Sequence, residues 1–156
     1  MLPKLDEDTL TLADEPQWAC VIAPIHQQVF AGQGGEKELA TLLGQPYVFA
    51  LLSSEQDYVT SYAVVQAVAD DAEILYLAVH PDRRNRGLAK RLLEAIKAQA
   101  FERGCCRVLM EVAEDNIAAI GLYSSWGAKQ IGYRHHYYQR SNNLYVHARV
   151  MAYDVT

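Results

Sequence analysis

A group of cationic residues around one glycine is the first feature of this sequence that could do chemistry. Arg84, Arg86 and Lys90 flank Gly87, where the apolar run of residues 74–79 gives way to helix-spaced leucines. The first N–H groups of a helix have no partner inside it and carry about half a positive charge. Such a helix end binds phosphate, and a glycine lets the backbone approach closely. The segment predicts a site for a pyrophosphate-sized anion, with an unliganded basic helix start as the alternative.

Glu111 is the second residue whose surroundings suggest chemistry. It stands in the run VLMEV, residues 108–112, which otherwise has the composition of a buried strand. An unpaired carboxylate is costly to bury, and burial increases its affinity for a proton. The position suits a general base that takes a proton from an ammonium group, directly or through water. The alternative is a glutamate on an edge strand that faces solvent.

Tyr123 is a weaker candidate, because it stands beside Leu122 and Trp126 in a segment with helical spacing. Periodicity alone favours an aromatic residue of the core at this position. The alternative is a phenol that donates a proton to a departing group.

Composition and charge restrict the classes of function. The 156 residues are 51% hydrophobic with a net charge of −5, which suits a single domain over residues 1–156 and argues against a general nucleic-acid binder. No apolar run approaches the roughly 20 residues that cross a bilayer, and the N-terminus lacks a signal-peptide pattern. We therefore expect no membrane partner and a cytoplasmic location.

The cysteines do not suit a disulfide framework, because they are odd in number and two are adjacent. They are Cys20, Cys105 and Cys106. We expect the adjacent pair to be small apolar residues that enter a strand.

The elements that must position these residues follow from apolar periodicity and turn residues. Strands are predicted over residues 8–13, 47–53, 57–69, 72–79, 105–113, 128–139 and 144–154. Helices are predicted over residues 15–30, 36–44, 88–104 and 116–127. Pro24 should kink or break the first helix, and Asn116 lies near the cap of the last.

The order of these elements predicts an α+β fold with a mixed, mostly antiparallel sheet flanked by helices. The three strands between residues 47 and 79 are close enough to form an antiparallel meander, and the last two strands form a hairpin. The strand-helix-strand step from residue 74 to residue 112 predicts a right-handed parallel crossover. That step places Gly87 at the start of its helix and Glu111 on its second strand.

Two motifs at this spacing carry a family resemblance. One has the form Arg-x-x-Gly-x-Ala, and the other has Glu-Val followed by Asn-x-x-Ala-x-x-Leu-Tyr. The matching positions are Arg84, Gly87, Ala89, Glu111, Asn116 and Tyr123. Together, over residues 72–139, they resemble the GNAT family of acetyl-CoA-dependent N-acetyltransferases. Within it the sequence is most similar to the ribosomal-protein-alanine N-acetyltransferase branch, which modifies N-terminal amines of proteins.

The resemblance implies acetyl-CoA as a co-substrate, no metal, and a role for each matching residue. Glu111 matches the general base. Tyr123 matches the general acid, a phenol of pKa near 10 that serves a leaving thiolate whose thiol has a pKa near 8.5. Asn116 matches a contact to acetyl-CoA. Leu77, Ala78 and Val79 match the strand end that pairs with the pantetheine arm. The loop around the coenzyme A pyrophosphate is matched by Arg84, Asn85, Arg86, Gly87, Leu88, Ala89 and Lys90.

The segments that shape the acceptor pocket depart from the family pattern. The departures are Ala128 after Gly127, Ser61 before Tyr62, the run VFAGQGGEKEL in place of a Pro-Trp-Ser segment, and His135-His136 before Tyr137-Tyr138. The expected partner is therefore an acceptor protein N-terminus or a small amine such as a polyamine, an amino acid or an antibiotic. A non-catalytic acyl-CoA-binding module is the third alternative, and both a monomer and a homodimer are compatible with the sequence.

The histidines and tyrosines near the C-terminus give two further expectations. His135 and His136 are neighbours on a strand, so their side chains should point to opposite faces and should not share a metal ion. Four tyrosines are expected to be half-buried, with one or two of them lining the acceptor groove. They are Tyr133, Tyr137, Tyr138 and Tyr145.

Overall fold

The computed structural model describes residue 5 and residues 9–156. Within these residues the strands are β1 (Thr11–Ala13), β2 (Val48–Glu55), β3 (Tyr58–Val68), β4 (Asp71–Val79), β5 (Arg107–Ala113), β6 (Lys129–Gln139) and β7 (Tyr145–Asp154). The α-helices are α1 (Ala19–Val29), α2 (Glu36–Leu43), α3 (Leu88–Glu102) and α4 (Ile117–Trp126). None of these helices has the length and apolar character needed to span a bilayer.

The seven described strands form one sheet in the order β1-β2-β3-β4-β5-β7-β6. Neighbouring strands are antiparallel except β4 and β5, which run parallel across the α3 crossover. The predicted α+β class, the meander, the parallel step and the final hairpin are confirmed.

Helices cover both faces of the sheet, and alternate residues of β2 show how the core divides. Phe49 and Leu51 pack in the cluster that contains the buried leucines of α3. Ala50 and Leu52 pack on the other face with α1 and α2. This alternation follows from the period of two along a strand. The face that carries α3 and α4 is called the α3 face below, and the other is called the α1 face.

Three local predictions differ from the structure. Pro24 lies inside α1 without ending it, so of the predicted kink or break, the break is wrong. The missing N–H removes one helical bond, while burial of Ile22 and Ile25 holds the neighbouring turns against the sheet. The strand predicted from Cys105 begins at Arg107, and Cys106 is exposed. The first strand is shorter than predicted, and its predicted start at position 8 lies outside the described residues.

A β-bulge in β4 creates the gap on which the site depends. Val64 pairs with Tyr76 and Val65 pairs with Ile74, so Leu75 is an extra residue in β4. Ile74, which precedes the bulge, and Leu77, which follows it, both pack on the α3 face. Pairing between β4 and β5 extends only to Ile74, which faces Met110. Because a bulge bends its strand and strengthens the twist, β4 and β5 separate beyond this point.

Candidate active site

A cavity of about 300 Å³ occupies the gap between the diverging ends of β4 and β5. Glu111 lines it from β5 and Tyr123 lines it from α4. Tyr123 belongs to the core of the α3 face, whereas Glu111 alternates with Met110 and Val112 and therefore points to the α1 face. The cavity thus passes through the sheet, and it brings together the two residues predicted to act as base and acid.

The Glu111 carboxylate is paired with a cation, which corrects the premise of an unpaired charge. The Nε of Arg134 on β6 lies 2.7 Å from its Oε1, and the Glu111 side chain is 17% exposed. The alternative of a solvent-facing edge strand is also wrong, because β5 lies between β4 and β7.

The negative charge of Glu111 affects the groups around it. It is the main reason that the pKa of the Tyr137 phenol is raised. Burial, followed by the same charge, raises the pKa of Tyr138 and of the Glu73 carboxyl. Glu73 pairs with Leu109, two residues before Glu111, so both carboxylates point to the α1 face. The charge of Glu111 therefore helps to keep the neighbouring phenols of Tyr137 and Tyr138 protonated.

Tyr123 is a buried phenol at the opposite wall of the cavity. Its residue exposure is 7%. Burial, with a smaller contribution from Tyr138, raises the pKa of Tyr123 to about 12. The phenol is therefore a neutral hydrogen-bond donor throughout the physiological pH range, and this donor faces the cavity that Glu111 lines from the other side.

The basic loop lies between β4 and α3, as predicted. Gly87 is the N-cap of α3 with φ of +78°, and Asn85 also has a positive φ, +62°. The first helical bond runs from the N–H of Arg91 to the carbonyl of Gly87, so the preceding N–H groups point out of the helix end. The flanking cations Arg84, Arg86 and Lys90 are exposed. Arg83, in contrast, pairs with Glu55 at 2.8 Å.

Comparison with known proteins identifies the family. A family model described as the acetyltransferase (GNAT) family matches residues 21–128, well over half of the sequence. The chain belongs to the GNAT family. It is an acetyl-CoA-dependent N-acetyltransferase.

The relatives of this GNAT chain include enzymes that act on a ribosomal protein. A protein of Escherichia coli K12 named [ribosomal protein bS18]-alanine N-acetyltransferase is 33% identical over 114 residues, which cover 73% of this chain and 76% of the relative. A Haemophilus ducreyi protein of the same name is 36% identical over 99 residues, covering 64% and 68%.

Solved structures extend this similarity to the whole fold. The ribosomal-protein-S18-alanine N-acetyltransferase from Escherichia coli superposes with a TM-score of 0.82 at 29% identity over 95% of both chains. Arabidopsis thaliana NAA60 in complex with acetyl-CoA superposes with a TM-score of 0.77 over 94% of this chain and 98% of the other. Its identity is 17%, and it therefore supports the fold alone.

The other predicted site residues of this acetyltransferase lie around the same gap. Asn116 caps α4, with its Oδ1 accepting the N–H of Ala119 at 3.2 Å, and it lines the cavity together with Leu77. Ala78 is buried on the α1 face, and Val79 pairs with Ser61 of β3. Contacts from Ala78 to a ligand in the gap would therefore come from its main chain.

Sequence reasoning missed part of the cavity wall on the α1 face. Phe30 and Gln33 follow α1, and Tyr76 follows the β4 bulge. No local signal links them, because the fold brings them together from distant segments. Tyr138 is half-buried as predicted and lines the cavity. The other three C-terminal tyrosines, Tyr133, Tyr137 and Tyr145, are exposed, so the prediction that they are half-buried is wrong.

A second irregularity, in β6, corrects the predicted alternation of His135 and His136. The register with β7 shifts between Arg134 and Tyr138, and His136 has φ of +52°. Both histidine rings contact His147, at centroid distances of 5.0 Å and 4.9 Å. The prediction of opposite faces is wrong because the bulge interrupts the pleat. In the described part of the chain, no group of three or more His, Cys, Asp or Glu residues is arranged to hold a metal ion.

Proposed function

We propose that this acetyltransferase transfers the acetyl group of acetyl-CoA directly to the N-terminal α-amine of a protein. The cavity through the sheet carries the proposal, because Glu111 and Tyr123 line it from opposite sides. The relatives named [ribosomal protein bS18]-alanine N-acetyltransferase support a protein N-terminus as the acceptor. An N-terminal alanine is therefore the first acceptor to test. The cytoplasmic location remains a prediction.

The chain's residues suggest how acetyl-CoA binds on the α3 side. The N–H groups at the start of α3, together with Arg84, Arg86 and Lys90, suit the pyrophosphate. The main chain of β4 from Leu77 to Val79, which continues beyond the pairing with β5, can bond the pantetheine arm. A main-chain N–H from this segment can also stabilise the negative charge that develops on the thioester oxygen.

Direct transfer assigns a separate task to each wall of the cavity. Glu111 accepts a proton from the ammonium, directly or through water, and the amine nitrogen attacks the thioester carbonyl. A carbon–nitrogen bond forms, and the carbon–sulfur bond breaks. Tyr123 donates a hydrogen bond to the departing sulfur. Burial raises the pKa of Tyr123 and keeps the phenol protonated, so it can donate a hydrogen bond to the sulfur as negative charge develops there and then the proton that turns the thiolate into the thiol. The second proton of the amine nitrogen is released to solvent as the amide forms, and solvent reprotonates the tyrosine.

One observation favours a small amine as the second candidate acceptor. Glu73 and Glu111 point to the same face of the sheet, and burial and mutual repulsion raise the pKa of Glu73. Two carboxylates could pair with the two cationic ends of a polyamine. Against this, Arg134 already pairs with Glu111. The aromatic wall formed by Phe30, Tyr76 and Tyr138 suits an uncharged first side chain better.

A panel of acceptors tests the proposal. The protein is incubated with acetyl-CoA and peptides that begin with alanine, serine, methionine or lysine, together with spermidine and free amino acids, and products are detected by intact mass. We expect the alanine-first peptide to gain one acetyl group fastest. Acetylation restricted to spermidine or amino acids would replace the protein acceptor with a small amine. Tight binding of acetyl-CoA with no product would favour a non-catalytic module.

Gly87→Ala tests the pyrophosphate loop. A Cβ at position 87 would meet no atom within 4 Å, so the cost is the strain of an L-residue at φ of +78°, about 1 kcal/mol. We expect the KM for acetyl-CoA to rise about tenfold while the KM for the acceptor stays within about twofold. Gly104→Ala is the matched control, since it has φ of +77° and equally open space beyond the far end of α3. An equal effect of both variants on the acetyl-CoA KM would contradict the assignment.

A further inference from the structure

His26 is a buried titratable side chain that the proposed chemistry does not use. It lies on α1 and is 1% exposed. Its ring contacts Tyr76 edge-on at a centroid distance of 4.7 Å and Phe30 at 5.4 Å. Phe30 and Tyr76 line the active-site cavity, so His26 lies directly behind the wall on the α1 face.

Both ring nitrogens of His26 have partners, and the partners determine the tautomer. Nε2 lies 3.3 Å from the main-chain carbonyl oxygen of Gln33, and Nδ1 lies 2.5 Å from the hydroxyl of Tyr62. A carbonyl oxygen can only accept, so Nε2 carries the hydrogen, and in the neutral ring Nδ1 accepts from Tyr62. Burial raises the pKa of Tyr62 and keeps that phenol a donor. The result is a hydrogen-bonded chain from β3 through His26 to Gln33.

The segment that this chain reaches is rich in glycine. Residues 30–35 connect α1 to α2 and contain Gly32 and Gly34, whose φ values are +82° and +90°, as well as Gly35. Glycine loses more conformational freedom on ordering than any other residue. Within this segment Phe30 and Gln33 line the cavity. A connection of this composition needs fixed contacts if it is to present a defined wall to a substrate.

We propose that His26 is a positioning residue for the acceptor. Its hydrogen bonds tie residues 30–35 to Tyr62 on the central sheet, and this tie fixes Phe30 and Gln33 in the cavity wall. The inference rests on the proposed function in that the acceptor enters from the α1 face, where Glu111 accepts its proton. Acetyl-CoA binding uses the α3 end of the gap and does not depend on this tie.

His26→Asn tests the proposal. The asparagine oxygen can still accept from Tyr62, but the shorter side chain does not reach the Gln33 carbonyl. We expect amide hydrogen exchange in residues 31–35 to become about tenfold faster, since one hydrogen bond to a flexible segment is lost. The KM for an alanine-first peptide should rise about fivefold to tenfold, with kcat and the acetyl-CoA KM within about twofold.

Ile22→Val is the matched control, because Ile22 is buried one turn earlier on the same helix. It should lower the melting temperature without changing exchange in residues 31–35 or the peptide KM. If His26→Asn resembles this control, or if exchange rises while the peptide KM stays unchanged, the positioning role is overturned.

A second variant and a second measurement distinguish a failure of this inference from a failure of folding or of the proposed function. If His26→Asn does not fold, Tyr62→Phe removes a single hydroxyl at the other end of the chain, and it should raise exchange and peptide KM about twofold to threefold. Unchanged values in a folded Tyr62→Phe variant would overturn the proposal. If the wild-type protein does not acetylate the alanine-first peptide, the proposed function fails. In that case, amide hydrogen exchange in residues 31–35 of the His26→Asn variant tests by itself whether His26 anchors this segment.

Discussion

Replacing Glu111 by glutamine is expected to lower turnover about a hundredfold at pH 6.5 and about tenfold at pH 9, with little change in the KM for acetyl-CoA. The difference arises because a peptide α-amine has a pKa of about 7.7–8.0. At low pH most of the acceptor is an ammonium and needs a base, whereas at high pH the free amine is already present. The measurement is the ratio of wild-type to variant kcat/KM across this pH range.

Glu73→Gln is the matched control for this experiment. Glu73 lies on the same sheet face, and burial and the charge of Glu111 raise its pKa. A carboxyl whose pKa is raised on folding destabilises the folded state as pH rises through that pKa, so the glutamine variant should be at least as stable as wild type at pH 7. We expect its turnover to stay within about threefold. A pH-independent ratio for Glu111→Gln, or equal losses in both variants, would remove Glu111 as the base.

Tyr123→Phe is expected to lower kcat about a hundredfold, because it removes the hydrogen-bond donor that we propose acts on the leaving sulfur. The KM values of both substrates should change less than about threefold, since the donor acts after binding. Circular dichroism should confirm that the fold persists, because phenylalanine occupies the same buried space. The measurement is kcat with saturating acetyl-CoA and peptide.

The pH profile gives an independent check on Tyr123. Since its pKa is raised to about 12, the phenol stays protonated, and wild-type kcat should show no loss from Tyr123 ionisation below about pH 10. The pKa in the folded protein exceeds the unfolded value near 10. The stability that it contributes is therefore complete below about pH 10 and lost as pH rises toward 12. A basic limb below pH 10 that disappears in Tyr123→Phe would contradict this placement.

The elements on either side of the parallel crossover could be predicted from the sequence because their signals are local. Helix-spaced leucines after a glycine define α3, and the position of Glu111 in an apolar run defines its strand. The basic loop lies at the start of α3 for the same reason, since Gly87 must adopt a positive φ there. Short-range periodicity therefore sufficed for the helix and loop that we propose bind acetyl-CoA.

The cavity wall that we propose faces the acceptor could not be predicted in the same way, because its shape depends on two bulges. The bulge at Leu75 separates β4 from β5. The shift in β6 occurs in the stretch that contains Tyr137, whose pKa is raised mainly by the charge of Glu111. A one-residue insertion changes which face every later side chain occupies, and no local feature of the sequence predicts where that insertion lies. The pairing of Glu111 on β5 with Arg134 on β6 crosses the intervening strand β7, so it depends on two strand registers at once.

The most direct test uses one peptide that begins with alanine and carries a lysine further along. After incubation with acetyl-CoA, fragmentation mass spectrometry locates any added acetyl group. Transfer to an N-terminal amine predicts a single acetyl group on the alanine nitrogen, formed at a rate that falls in Glu111→Gln. An acetyl group on the lysine side chain, or no modification of the peptide while spermidine is acetylated, would contradict the proposed acceptor.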